Sequence, residues 1–151
     1  MNLEKLIVVL EKQNKNLQKL LKSVMEKQIA LVNCNNEGLK ESISNEEKLL
    51  LNIQLAEESR LKIMEELFAE YKIENLRYKL EILIENIKNK IDENIVEIIS
   101  LLEKNIKKTI KEIQKVNNQN LVLIQQSRSL INETIKALLN SQKRAIIDRK
   151  G

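Results

Sequence analysis

The amino-acid sequence predicts an all-α protein: an antiparallel bundle of three long, coiled-coil-like helices with a short linking helix and a frayed C-terminal tail. Three observations predict it. Pro is absent and Gly occurs only at Gly38 and Gly151, so the residues that make tight turns are almost missing. Charged residues make up 32% of the chain and are interleaved with Leu and Ile, the composition of long helices. Apolar residues also recur at three- and four-residue steps over most of the length, the spacing that lines one face of a helix. A chain of 151 residues is enough for one helical domain, 1–151, with one core. Its helices are expected at about 2–33, 36–71, 75–89 and 93–140, with the tail at 141–151.

The first helix is marked by Leu3, Leu6, Leu10, Leu17, Leu20, Val24, Gln28 and Leu31, with Gln13 at the one missing position of the rhythm. Asn2 can cap its start, because a short polar side chain accepts from the free amides there. Asn33-Cys34-Asn35-Asn36 and Gly38 form the clearest break, since Asn tolerates left-handed backbone and caps helices. The second helix carries Leu39, Ile43, Leu50, Ile53, Leu61, Met64 and Phe68 along one expected stripe. Ser44 and Glu47 have capping-box spacing, but without a following Pro or Gly the helix is expected to continue. Residues 35–71 hold nine acids and four bases, against six Lys and three acids in 1–34 and eleven bases and six acids in 93–151. The acidic second helix is therefore expected between the two basic ones.

Residues 72–91 are helical in propensity but out of phase with their neighbours, with Leu76, Leu80, Leu83, Ile84, Ile87 and Ile91 on one stripe. The chain must reverse there, with Asn75, Asn86 and Asn89 as the candidate breakers and Asp92 as a cap. From Asp92 to Leu139 runs the strongest pattern, around which the rest of the chain is expected to be organised. Ile95, Ile99, Leu102, Ile106, Thr109, Ile113, Val116, Asn120, Leu123, Ser127, Leu130, Thr134 and Ala137 alternate at four- and three-residue steps. Its first half is aliphatic, whereas its second half places Asn120, Ser127 and Thr134 on the seam. A second row, Ile110, Asn117, Ile124, Ile131 and Leu138, widened by Leu121, Ile135 and Leu139, exceeds what one seam needs. That surplus suggests a half reserved for a partner.

Absences exclude several functions. The chain has no His, which removes the usual general base and the commonest metal ligand. Cys34 is the only thiol, so neither a disulfide framework nor a cysteine zinc site can form within the chain. The acidic group Glu46, Glu47, Glu57 and Glu58 reads as a solvated face, because carboxylate metal sites in bundles use Glu-x-x-His motifs. No enzyme, cofactor or metal is expected. The net charge of +4 is interleaved with acids and lacks aromatic residues around it, so no nucleic-acid partner is expected. The apolar runs Leu6–Leu10 and Ile29–Val32 are too short for a membrane span or a secretory segment, so a cytoplasmic location without membrane insertion is expected. Lys104, Lys107, Lys108, Lys111 and Lys115 lie upstream of the apolar-rich part, which disfavours a membrane-surface helix.

The order and spacing of three stretches resemble the FlgN family of flagellar type III export chaperones, over nearly the full length. They are Lys27-Gln28-Ile29-Ala30-Leu31-Val32 before the Asn-rich turn, Glu46-Glu47-Lys48-Leu49-Leu50 with Glu57 and Arg60, and Asn117-x-x-Asn120-x-x-Leu123-Ile124-x-x-Ser127-x-x-Leu130. The resemblance implies a cytoplasmic chaperone whose partners are hook-associated (hook–filament junction) proteins, held by their terminal helices before transfer to the flagellar export apparatus. It also implies that the last helix carries the client surface, from Val116 onward. The client-binding candidates are then Leu121, Leu123, Ile124, Leu130, Ile131, Ile135 and Leu138. Thr109 interrupts the aliphatic seam, and the 72–91 segment shows no specific motif of the family. The alternative reading is a structural coiled coil that self-assembles, or a helical adaptor, with Asn120, Ser127 and Thr134 setting register.

Overall fold

The computed structural model describes the backbone of residues 2–75 and 77–150, and side chains as far as Asn140. Four helices occur in the order α1 (Asn2–Val32), α2 (Asn36–Glu70), α3 (Leu80–Ile87) and α4 (Glu93–Lys150), and there is no strand among the described residues. The fold is an all-α bundle in which α1, α2 and α4 supply the long packing surfaces.

The turn between α1 and α2 forms as the Asn-rich stretch suggests. Cys34 adopts left-handed backbone at φ 53°. The amides of Cys34 and Asn35 return to the carbonyls of Leu31 and Ala30, at 3.4 and 2.9 Å, which closes the end of α1. Asn35 then caps α2, its side-chain oxygen accepting from the Gly38 amide at 3.1 Å. The same two-bond closure ends α2, where Lys72 takes φ 53° and Ile73 bonds back to Phe68 at 2.8 Å. Lys72, not among the candidate breakers, thus ends α2; Asn75 lies in the loop that follows, accepting from the Arg77 amide at 2.9 Å, and Asn89 in the turn after α3, whereas Asn86 is inside α3. A lysine is a poor sequence signal for a left-handed residue, because its Cβ makes that conformation cost roughly 1–2 kcal/mol.

Residues 73–75 and 77–79 are consequently not helical, and α3 is shorter than the expected 75–89. Asp92 starts α4, accepting from the Asn94 amide at 3.0 Å. At the other end α4 runs past the expected boundary at 140. The tail expected to fray carries helical backbone to Lys150, since no Pro or Gly interrupts it before Gly151. At about 1.5 Å per residue, its 58 residues reach roughly 87 Å.

The helix at the centre of the packing is α1. Both α2 and α4 lie along it, whereas the acidic charge of α2 had suggested that α2 stands between the others. Ser23 of α1 donates to the carbonyl of Ser42 at 3.2 Å, and Gln13 to Glu57 at 3.3 Å, so α1 and α2 are antiparallel. Leu6 shares a cluster with Ile99, and Val24 accepts from Asn120 at 3.1 Å, so α4 runs parallel to α1. A helix that packs on two sides needs two stripes. Leu6, Leu10, Gln13, Leu17, Leu20 and Val24 are buried as expected, and Asn16, Ser23 and Ala30 join them.

On α2 Met64 and Phe68 are buried as expected, but the rest of the buried stripe is shifted. Ser42 and Ala56 are buried, whereas Ile43, Leu50 and Leu61 are exposed. Two small side chains allow α1 and α2 to approach closely, so they take the seam and push the larger aliphatics to its edge. Among the described residues, charge complementarity between these helices is realised in one place, where Lys27 and Glu46 pair at 3.3 Å with both side chains largely covered.

The core falls into two clusters. At the lower end all four helices contribute, through Leu6, Leu10, Met64, Leu67, Phe68, Leu83, Ile87 and Ile99. The upper cluster is smaller, with Leu17, Leu20, Val24 and Ile113, and polar Asn16, Ser23, Thr109 and Asn120 are buried near its level. The bundle thus holds α4 most firmly at its beginning.

Candidate functional site: the unpartnered half of the last helix

The seam of α4 changes character within one helix. Ile99, Thr109, Ile113 and Asn120 are buried, and Ile95, Leu102, Ile106, Val116 and Leu123 are half-buried against the bundle. From Gln125 to Asn140 every residue is exposed. The heptad rhythm continues unchanged through Ser127, Leu130, Thr134 and Ala137, but α1 ends at Val32 and none of the described residues lies opposite. The last ties are Asn120 to the Val24 carbonyl and Gln28 to Gln119, at 3.1 and 3.0 Å. The Thr134 hydroxyl turns back onto its own helix, bonding the Leu130 carbonyl at 2.8 Å.

Each residue singled out from the sequence can now be placed. Leu123 and Ile124 are half-buried where α4 leaves the bundle. Leu121 is 56% exposed, Leu130 65%, Ile131 57%, Ile135 48% and Leu138 61%. They form a stripe along a free helix and do not converge on a pocket. The boundary expected at Val116 moves to about Ile124, because Asn120 is only 2% exposed and belongs to the interface with α1. Val122, 50% exposed on another face, had no part in the expected stripe.

Sequence periodicity did not reveal a second feature, a trough of about 520 Å³ between α2 and α4. Leu10, Gln13 and Leu17 of α1 contribute its floor, Ile53, Glu57 and Arg60 one wall, and Glu103, Ile106, Lys107 and Ile110 the other. The segment Tyr78–Glu81 closes one end. It is held to α2 by Arg60, which donates to the Tyr78 carbonyl at 3.4 Å, and by the edge-on ring of Tyr78 against Phe68 at 5.1 Å. It is held to α4 by the ion pair of Glu81 with Lys107, which also meets Glu103 at 2.8 Å. The trough exists because neighbouring helices fail to meet, which no single-helix pattern records.

Five of the charged groups around it are paired, Glu57 with Arg60 and Lys107 with both Glu81 and Glu103. Arg60 donates to both oxygens of Glu57, at 2.8 and 2.6 Å. This bond, aided by the Gln13 amide and opposed by partial burial, holds the Glu57 carboxyl below its ordinary 4.5. Donating to the carboxylates of Glu103 and Glu81 holds the Lys107 ammonium above its usual range, and Lys107 in turn lowers Glu81. The depressed folded value of Glu57 stabilises the fold above pH 4.5 and loses that contribution as pH falls through the folded value. In urea titrations, the difference between the protein and Glu57→Gln is therefore expected to be constant above pH 4.5 and to shrink below it. A difference that grows on acidification would contradict the assignment.

Among the described residues no group of acidic or thiol side chains is arranged to hold a metal ion, and no helix is long and apolar enough to cross a membrane. What the geometry offers is contact surface: an apolar stripe on a projecting helix and an open trough beside it. No curated protein and no solved structure shows significant similarity to the chain. The family described as FlgN protein matches residues 1–147, nearly the whole length. With that coverage, on an all-α bundle whose last helix outruns its partners, the chain belongs to the FlgN family of flagellar export chaperones.

Proposed function

We propose that this chaperone acts in the cytoplasm on hook-associated flagellar proteins, laying the exposed stripe of α4 along their terminal helices before handing them to the export apparatus. The observation that carries this reading is the heptad seam that passes, in register, from burial against α1 to full exposure beyond Ile124. A seam continued without a partner is a surface shaped for another helix, read at its i, i+3, i+4 and i+7 positions. Burying one large aliphatic side chain contributes about 1.5–3 kcal/mol before ordering costs. Leu130, Ile131, Ile135, Leu138 and their neighbours together are enough for roughly micromolar affinity or better after those costs. A covered client helix can neither aggregate nor polymerise early, and no chemical step is required.

Coexpression with the hook-associated proteins of the same organism, followed by pull-down, tests the proposal. Deleting residues 125–151 is expected to abolish capture, while deleting 148–151 preserves it. Full capture after the larger deletion would overturn the assignment of the surface.

A further inference from the structure

None of the described residues fills the trough between α2 and α4, and the same molecule carries a helix suited to it. On α4 the residues Ile106, Ile110, Asn117, Leu121, Ile124, Ile131 and Ile135 share one face by their spacing. The beginning of this row, Ile106 and Ile110, lines the trough. Its end is the unpartnered stripe. We propose that the trough receives the free half of α4 from a second copy of the chain, in an antiparallel pair symmetric about Asn117.

The register follows from the symmetry. A twofold axis through the level of Asn117 sets Ile124 opposite Ile110 of the second copy and Arg128 opposite Ile106 of the second copy. Each copy offers the trough at one end of the row and the filling helix at the other, so the contact is self-complementary and closes at two. Exposed Leu50 and Ile43 continue the α2 wall beyond the enclosed part, and Leu121 continues the α4 wall, so the contact does not end with the cavity.

The polar groups also match. Gln13 is 6% exposed, lines the trough, and its side-chain oxygen has no hydrogen-bond partner. An unpaired buried acceptor favours an occupant that brings a donor. The row on α4 is apolar except at Asn117 and Arg128, and the register brings Arg128 within about one turn of the level of Gln13 and Glu57. A guanidinium there can donate to Gln13 and share the Glu57 carboxylate with Arg60. The acid excess of α2, nine acids to four bases, favours the basic last helix over an acidic occupant.

The pairing does not depend on the client reading, although both use the α4 stripe, so a bound client displaces the second copy. Sedimentation of the full chain without client, from micromolar to about 0.2 mM, is expected to show the mass rising from one chain of 17.6 kDa to two. Arg128→Glu is expected to weaken association at least about tenfold. On a Cys34→Ser background, Asn117→Cys is expected to form a disulfide-linked dimer under mild oxidation, and Val122→Cys, on another face, is not. A single copy throughout the range, a dimer indifferent to Arg128→Glu, or equal cross-linking at Val122→Cys would overturn the proposal. Ile110→Glu, in the trough and outside the client stripe, is expected to weaken association as well, and client pull-down with that variant reads the chaperone function separately.

Discussion

Replacing Leu130, Ile131 and Ile135 together by Gln is expected to reduce capture of a hook-associated client by at least about 100-fold. The bundle is expected to keep its stability within about 0.5 kcal/mol, because these side chains are exposed and Gln is a good helix former. The two readouts together separate the stripe from the core. A core residue changed in the same way would lose both folding and capture. Urea denaturation and pull-down on the same preparation check it. Unchanged capture would show that the client sits elsewhere, and lost stability would show that the free half of α4 supports the bundle.

The converse result is expected at the other end of the helix. Ile99 is fully buried among residues from α1, α2 and α3, and its replacement by Ala removes packing that no neighbour can supply. Ile99→Ala is expected to cost about 2–5 kcal/mol, a large part of the roughly 5–15 kcal/mol available to a domain of this size. The urea midpoint should fall accordingly. The upper cluster predicts a smaller loss at Ile113, where Thr109 and Asn120 already interrupt the apolar packing. A change of under about 1 kcal/mol at Ile99 would mean that the lower cluster does not anchor α4.

Particular residues show how far the sequence could be read. On α1 and α4 the three- and four-residue rhythm identified the buried positions, including polar Gln13, Thr109 and Asn120, because long helices packed in parallel bury one regular face. On α2 the same reasoning chose Ile43, Leu50 and Leu61, and the structure buries Ser42 and Ala56 instead. Hydropathy favours large side chains, but close helix approach favours small ones. The break at Lys72 was invisible for a similar reason, since tertiary packing imposes its backbone where Gly or Asn would have signalled it.

The candidate stripe was legible as a surplus of aliphatics beyond one seam. Its beginning was not. Asn120 looks like a weakening of the seam in the sequence, but in the structure its amide bonds the Val24 carbonyl and its oxygen stays unpartnered. The charge balance misled the topology, because Lys27–Glu46 is the one close ion pair between α1 and α2 among the described residues. Long-range charge sums rank below packing when exposed pairs each contribute at most about 1 kcal/mol. The trough depends on two helices lying along a third without meeting, a relation between elements that no single stripe encodes.

The central claim is that α4 is bundle core as far as about Ile124 and partner surface beyond it. Hydrogen exchange of the protein, below the concentration of any self-association and with or without client, tests this most directly. A lone helix is marginal in water, so amides of 126–140 are expected to exchange fast in the free protein and to gain protection with client. Those of 95–113 should be slow in both conditions. Slow exchange along all of α4 that client leaves unchanged would contradict the division of the helix.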